Sequence, residues 1–166
     1  MPSTLVLIGP PGAGKSSIGK QLSKALGKNF IDTDQEIEKR VGKKITDIFV
    51  EDGEPAFRDM EKSVVLEELD RSESVVALGG GSVLDPEVAA KLSNMKDSVI
   101  YLEVSISNAA PRVGFNKDRP LLAVNPRQQW MALMEKRRPI YENLAGMKIS
   151  TDNKKPNEVV AEISKL

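Results

Sequence analysis

The residues best suited to chemistry in this chain form a glycine-rich segment near its N-terminus. Residues 9–16 read GPPGAGKS and satisfy the pattern G-x-x-x-x-G-K-[ST]; we call them the phosphate loop. The glycines let the backbone curl so that several N–H groups point at a phosphate, Lys15 can reach the terminal phosphates, and the Ser16 hydroxyl can ligate Mg²⁺. Because a strand-like run precedes the loop and a helical pattern follows it, the segment predicts binding of a nucleoside triphosphate with Mg²⁺.

Two carboxylates, Asp32 and Asp34, come where the second predicted strand ends. In extended backbone, side chains two positions apart face the same way, so both can point into a cleft at the carboxyl edge of a sheet. One carboxylate near Mg²⁺ and another beside an acceptor hydroxyl suit phosphoryl transfer to an alcohol. The alternative is structural, with Asp34 as the N-cap of the next helix, and the spacing leaves both interpretations open.

Two arginines occupy positions that favour an anionic neighbour. Arg137 falls on the apolar stripe of a helix predicted over residues 128–144, and a cation facing the core needs an anion or must extend its head group to solvent. Arg58 flanks an apolar helical face, three residues before Glu61. That spacing fits either a surface ion pair or a Glu61 that orients Arg58 toward an anionic ligand.

Two further segments have compositions that suit a ligand site. Gly79, Gly80 and Gly81 follow the third predicted strand and leave bare backbone at the carboxyl edge, where a ligand can approach closely. Residues 114–126 contain Gly, Asn, Lys, Asp, Arg and Pro without a clear period. A loop of this length in a compact domain is more often functional or mobile than idle, although a disordered surface connection has the same composition.

Short strand-like runs alternate with longer helical patterns along the chain and predict the framework that holds these residues. Five strands are predicted, over residues 4–8, 30–32, 75–78, 99–102 and 147–149. Strands separated by helices imply right-handed crossovers and a parallel sheet covered on both faces. The predicted fold class is therefore α/β, a three-layer α/β/α arrangement around a five-stranded parallel sheet.

The composition excludes several classes of function. The 166 residues include no His and no Cys, which excludes a zinc site of the usual kind, a thiol nucleophile and a Ser-His-Asp triad. Acid–base chemistry must then depend on a carboxylate, a lysine or water. The 24 basic and 24 acidic residues balance, which argues against a nucleic-acid partner. No apolar run is long enough for a signal peptide or a membrane span, so no membrane partner and a cytoplasmic location are expected.

Six short motifs follow one another along nearly the whole chain: G-x-x-x-x-G-K-S at 9–16, D-T-D at 32–34, G-E-x-x-F-R-x-x-E at 53–61, G-G-G at 79–81, R-P-L-L at 119–122 and K-R-x-P-x-Y at 136–141. Many nucleotide enzymes share the first motif, whereas the combination is far more specific. Together the motifs resemble those of the shikimate kinases, a family of the nucleoside-monophosphate-kinase-like P-loop fold.

This resemblance implies transfer of the γ-phosphoryl group of ATP to the 3-hydroxyl of shikimate, giving shikimate 3-phosphate on the route to aromatic amino acids. It implies ATP and Mg²⁺ as cofactors and shikimate as the small-molecule partner; we also expect a monomer. The residues that it assigns are Lys15, Asp34 and Arg119 for catalysis; Gly12, Ala13, Gly14, Lys15, Ser16, Ser17, Arg112 and Arg119 for the nucleotide; Asp34, Phe49, Phe57, Arg58, Glu61, Gly79, Gly80, Gly81 and Arg137 for shikimate; and Ser16 and Asp32 for the metal.

Roles follow from the same resemblance. Asp34 would hold the substrate hydroxyls and can act as base, while Arg58 and Arg137 would clamp the shikimate carboxylate. Arg119 would close over the phosphates and stabilise charge in the transition state, and Arg112 would lie near the adenine.

The resemblance also implies an organisation for the chain and shows two departures from the family pattern. Residues 1–166 would form a single P-loop kinase domain with a mobile lid at about 112–126 and a substrate-binding helical region at about 33–61. Pro111 falls inside the helix that should lead to the lid, where proline is unfavourable unless it lies in the first turn. Lysines at residues 154–155 stand where the family often has an adenine-stacking arginine.

Two alternatives to this interpretation stay open. Another small-molecule kinase of the same fold, acting on a sugar acid or a nucleoside monophosphate, can use paired arginines as well. A regulatory nucleotide-binding module that no longer catalyses would lack acceptor-side residues, yet Asp34, Arg58 and Arg137 are all present.

Overall fold

This computed structural model describes residues 2–113 and 126–165, which form five strands and eight α-helices. The strands are β1 (Leu5–Ile8), β2 (Asn29–Asp32), β3 (Ser74–Ala77), β4 (Val99–Glu103) and β5 (Met147–Ser150). The helices are α1 (Lys15–Leu26), α2 (Thr33–Val41), α3 (Ile45–Glu51), α4 (Glu54–Glu68), α5 (Pro86–Ser93), α6 (Ile106–Val113), α7 (Pro126–Leu144) and α8 (Pro156–Ser164). Each predicted strand is confirmed to within one residue at either end. Within the described ranges, no helix has both the length and the apolar character that spanning a membrane requires.

The strands form one parallel sheet in the order β2-β3-β1-β4-β5. β1 lies at the centre and all of its residues are buried, which explains why it is a continuous aliphatic run rather than an alternating one. Side chains from β1, β3 and β4 form the main core with the apolar faces of the helices. The predicted α/β class with a five-stranded parallel sheet is confirmed.

Helices cover both faces of the sheet. The connection β1-α1-β2 crosses the sheet in one direction, and the connections through α5 and α7 cross it in the other, so right-handed crossovers put α1 on the opposite face from α5 and α7. Helix α8 packs beside α1. The three-layer prediction is therefore also confirmed. A second, smaller cluster of buried apolar side chains lies among α2, α3 and α4, made by Ile37, Ile48, Phe57 and Val64.

Local capping explains where α1 and α2 begin and end. Gly14 precedes α1 at φ 88 and Gly27 ends it at φ 67, left-handed conformations that side chains disfavour. Asp32 is the N-cap of α2, and its carboxylate accepts a hydrogen bond from the N–H of Gln35 at 3.2 Å. The structural interpretation of Asp34 as this N-cap is therefore wrong, since Asp34 lies in the first turn of the helix.

The strand order brings three predicted segments to one edge of the sheet. In a parallel sheet all carboxyl ends meet at the same edge, so the phosphate loop after β1, residues 32–34 after β2 and residues 79–81 after β3 are neighbours. Because β3 pairs with both β1 and β2, the three glycines lie between the phosphate loop and the two aspartates.

Candidate active site

The phosphate loop curls over the carboxyl end of β1. The ammonium of Lys15 donates hydrogen bonds to the carbonyl oxygens of Gly9, at 2.7 Å, and Pro10, at 3.0 Å. The loop forms one wall of a cavity of about 550 Å³, which we call the loop cavity. All of the predicted nucleotide-binding residues within the described ranges line it: Gly12, Ala13, Gly14, Lys15, Ser16, Ser17 and Arg112.

Arg112 lines the loop cavity and binds the phosphate loop. Helix α6 continues through Pro111 to Arg112, so the proline does not end the helix before that residue. The Arg112 guanidinium donates to the carbonyl of Gly12 at 3.2 Å, and to the hydroxyl and carbonyl of Thr151 at 3.0 and 2.8 Å. Lys154, one of the two lysines that depart from the family pattern, also lines the loop cavity.

Ser16 and Asp32 form a pair of oxygen groups at the floor of the loop cavity. The Ser16 hydroxyl donates a hydrogen bond to Oδ2 of Asp32 at 2.5 Å, and both residues line the cavity. Hydroxyl and carboxylate oxygens are hard ligands of the kind that Mg²⁺ prefers. The predicted metal residues are therefore brought together, and their chemistry fits that ion.

Asp34 and Glu61 converge on Gly79. A Cβ added to Gly79 would lie 2.7 Å from Oδ1 of Asp34 and 3.0 Å from Oε2 of Glu61, so both carboxylates pack against bare backbone. Asp34 also lines the loop cavity. The Asp34 carboxylate thus lies where the phosphate loop and the acceptor-side residues meet.

Glu61 is a buried partner of Arg58, and not a member of a surface ion pair. Its side chain is 5% exposed, and Oε1 accepts a hydrogen bond from Arg58 at 2.8 Å. Burial raises the pKa of Glu61 above its ordinary value, and the negative charge of Asp34 adds to that effect, while Arg58 opposes it. The guanidinium of Arg58 lies 5.3 Å above the centre of the Phe57 ring, which itself contacts Phe49 at a centroid distance of 4.9 Å. This stack fixes Arg58 from below.

Arg137 is the buried cation that its position on the helical stripe predicts. The residue is 5% exposed, and within the described parts of the chain its Nε–H has no hydrogen-bond partner. Arg137, Arg58 and Glu61 together line a second cavity of about 590 Å³, which we call the arginine cleft. A buried guanidinium with an unused donor is a strong recognition element for a carboxylate.

Each of the three glycines leaves room for a charged side chain. Beside the two carboxylates at Gly79, a Cβ on Gly80 would lie 3.3 Å from Nη1 of Arg137, and one on Gly81 would lie 2.5 Å from Nη1 of Arg58. None of the three has a left-handed backbone conformation. The glycines are therefore required for close approach rather than for backbone freedom.

One predicted site residue, Arg119, lies outside the described residues, as does most of the predicted lid. Neither the motifs nor the periodicity predicts a hydrogen-bond partner for three side chains that the structure buries, those of Thr33, Trp130 and Tyr141. The hydroxyl of Thr33 lies 3.3 Å from the carbonyl of Ala77 and from the N–H of Gly79, joining the ends of β2 and β3. Trp130 and Tyr141 are aromatic side chains with a polar atom, and a buried aromatic of this kind signals that a partner must exist.

Comparisons with known proteins agree with this geometry. The family model described as shikimate kinase matches residues 11–166. A shikimate kinase of Thermobifida fusca is 49% identical over 96% of this chain and 92% of that protein, and one of Streptomyces coelicolor is 46% identical over 93% of this chain and 90% of that protein. The solved structure of shikimate kinase from Acinetobacter baumannii in complex with shikimate superposes with a TM-score of 0.94 at 34% identity, covering 99% of this chain and 92% of that one. A likeness that extends over nearly the full length in sequence and in backbone means that the chain belongs to the shikimate kinase family.

Proposed function

We propose that this chain transfers the γ-phosphoryl group of ATP to the 3-hydroxyl of shikimate, giving ADP and shikimate 3-phosphate. The observation that carries the proposal is the buried guanidinium of Arg137 in the arginine cleft, with its unused donor, beside Arg58 and at the same sheet edge as the phosphate loop. Such a pair of cations matches the carboxylate of a small hydroxy acid. Membership of the shikimate kinase family supports the choice of shikimate as that acid.

On the nucleotide side, the phosphate loop would hold the triphosphate through its backbone N–H groups, and Lys15 would turn toward the terminal phosphates. Ser16 and Asp32 would hold Mg²⁺. When bound, Mg²⁺ neutralises charge on the β- and γ-phosphates. The place of Arg112 in the wall of the loop cavity supports a contact with the base or ribose. The predicted role of Arg119 stays a prediction.

On the acceptor side, Arg58 and Arg137 would hold the shikimate carboxylate, and Glu61 would orient Arg58 for that task. Asp34 would bind the hydroxyls. In the transfer, the acceptor oxygen bonds to the γ-phosphorus, the bond from this phosphorus to the bridging oxygen breaks, and ADP leaves. The proton of the hydroxyl passes to the carboxylate of Asp34.

We also propose a domain organisation for the chain. One domain over residues 1–166 would carry the whole activity, with residues 33–61 as the substrate-binding helical region. A monomer in the cytoplasm remains a prediction from the sequence.

The test is acceptor-dependent release of ADP from ATP with Mg²⁺, measured with shikimate, gluconate and AMP in parallel. We expect turnover with shikimate well above the rate with ATP alone, and background rates with the other two. No turnover above background with shikimate would overturn the proposal. Turnover with gluconate or AMP instead would identify the sugar-acid or nucleotide kinase alternative.

A further inference from the structure

Side-chain donors bind four carbonyl groups of the phosphate loop, and two of these donors come from outside the loop. A loop whose N–H groups face a phosphate must turn its carbonyls away, and those carbonyls need donors of their own. Lys15 donates to the first two of them, at Gly9 and Pro10. Arg112 donates to the carbonyl of Gly12 at 3.2 Å. The carbonyl between them, that of Pro11, accepts a hydrogen bond from the indole N–H of Trp130 at 3.0 Å.

The contact between Trp130 and Pro11 is fully enclosed. Trp130 is 2% exposed, and Pro11 is buried as well. Pro10 and Pro11 have no N–H with which to tie this part of the loop to a neighbour. In the dry interior, the indole N–H therefore has a large share in fixing the direction of the Pro11 peptide, which leads directly into Gly12 and the phosphate-facing turn.

The same helix also holds the acceptor side. Tyr141 of α7 donates its hydroxyl proton to the carbonyl of Gly80 at 2.6 Å, and Arg137 lies between Trp130 and Tyr141 along the helix. All three side chains are buried on one stripe of α7. One helix thus has a hydrogen bond to the phosphate loop at one end and another, about 16 Å along its axis, to Gly80 in residues 79–81, which we call the glycine turn.

We propose that Trp130 is a positioning residue for the nucleotide, acting through the Pro11 carbonyl to keep the phosphate loop in its binding shape. The proposal rests on the proposed function, because it assumes that this loop holds ATP. Trp130 lines neither the loop cavity nor the arginine cleft, so it would act through the loop and not by contact with a ligand. Tyr141 does the same for the glycine turn and hence for the acceptor, so that α7 sets the two substrate subsites relative to each other.

A purely structural tryptophan would behave differently. The apolar stripe of α7 would be filled almost as well by phenylalanine, which lacks the N–H. If Trp130 only packs the core, Trp130→Phe lowers stability and leaves both substrate affinities as they were. If its N–H positions the loop, the loss falls on the nucleotide alone.

The experiment measures the Kd of ADP with Mg²⁺ and the Kd of shikimate by isothermal titration calorimetry, for wild type, Trp130→Phe and Tyr141→Phe. We expect Trp130→Phe to weaken ADP binding by roughly fivefold, the factor typical of one lost hydrogen bond, with shikimate binding little changed. Tyr141→Phe should show the reverse pattern. Ile163→Val, a truncation of a buried side chain of α8 that lines neither cavity, is the control for lost packing and should leave both constants unchanged.

Three results would overturn the inference: unchanged ADP binding by Trp130→Phe, equal weakening of both ligands by that variant, or nucleotide-selective weakening by Ile163→Val. Wild type that fails to bind ADP would instead count against the proposed function. Should Trp130→Phe not fold, site-specific replacement of Trp130 by benzothienylalanine decides, since this side chain keeps the shape of the indole and lacks its N–H. Weaker ADP binding with unchanged shikimate binding supports the inference, and unchanged ADP binding overturns it.

Discussion

Asp34 lies between the proposed nucleotide and acceptor halves of the candidate site. It lines the loop cavity and packs against Gly79 beside Glu61. Asparagine has the same shape and can still accept a hydrogen bond from a hydroxyl, but it cannot take a proton. We therefore expect Asp34→Asn to lower kcat by about 10²- to 10⁴-fold, the usual contribution of a positioned base, with the KM for ATP nearly unchanged.

Steady-state kinetics with varied shikimate and ATP measure this effect. Asp47→Asn, an exposed carboxylate on α3 in the same helical region, is the matched control and should retain the wild-type rate. A wild-type kcat in Asp34→Asn would exclude Asp34 from the chemical step.

The buried charge of Glu61 has a consequence for stability that depends on pH. In the folded chain its pKa lies above the ordinary value of 4.5, because burial outweighs the attraction of Arg58. Between 4.5 and the raised value, the folded state binds more protons than the unfolded state. The contribution of Glu61 to stability is therefore complete below the unfolded pKa and is lost as pH rises through the folded one.

Urea unfolding across the mildly acidic range tests this sign. The free energy of unfolding of wild type should fall with rising pH relative to that of Glu61→Gln, which has no proton to lose. Glu67→Gln is the control with opposite sign, since Arg40 lowers the pKa of Glu67. Parallel curves for wild type and Glu61→Gln would contradict the expectation.

At the scale of elements, α2 and α4 carry the proposed acceptor-side residues Asp34, Arg58 and Glu61, and the two helices are joined at both ends. At one end Asp34 approaches Glu61; at the other, the guanidinium of Arg40 bonds to Glu67 at 2.7 Å and to Glu68 at 3.1 Å. The Glu68 side chain is only 2% exposed. The partners at the two ends are separated by nearly equal sequence intervals, so the helices run side by side in the same direction. The contacts of Arg40 thus set the position of α2 along the axis of α4, including that of its N-terminal end.

We expect Arg40→Ala to raise the KM for shikimate by a few-fold and to lower the free energy of unfolding by about 1 kcal/mol, because Glu68 loses one charged hydrogen bond and keeps the one from Arg71. The KM for ATP should stay constant. Kinetics and urea unfolding measure the two effects. Lys39→Ala, an exposed neighbour on α2, should change neither quantity. A larger effect of Arg40→Ala on ATP than on shikimate would show that Arg40 does not act through this helix pair.

The strands could be predicted from the sequence, whereas their order in the sheet could not. Hydrophobic runs and glycines located every strand to within one residue, because burial on both faces demands continuous apolar side chains. Strand order depends on crossovers tens of residues long, so the adjacency of residues 32–34 and 79–81 is visible only in the fold. Asp32, and not Asp34, is the N-cap of α2 because Asp32 has the extended backbone of a cap. The spacing of the two aspartates does not show which of them has that backbone. The roles of Trp130 and Tyr141 depend on single polar atoms, which periodicity does not register.

At the scale of the whole molecule, the candidate site lies between two bodies, one built on the large main core and the other on the small second cluster of buried apolar side chains. The phosphate loop and the glycine turn follow strands of the main core, while Asp34 and Arg58 stand on helices packed around the small second cluster. Local opening is easiest where few apolar side chains are buried. Residues 33–61 should therefore open more often than β1, β3 and β4 in the absence of ligand.

Hydrogen exchange followed by mass spectrometry makes this asymmetry measurable, and it yields a prediction about shikimate. A ligand held by both bodies must reduce local opening of the weaker one, because it binds only the closed form. We expect shikimate to slow exchange of amides in α2, α3 and the first turns of α4, with little change in the central strands, which are already protected. Gluconate at the same concentration is the control and should leave the pattern as it is. If shikimate instead slowed exchange uniformly, or only around the phosphate loop, then residues 33–61 would not be the segment on which the acceptor binds.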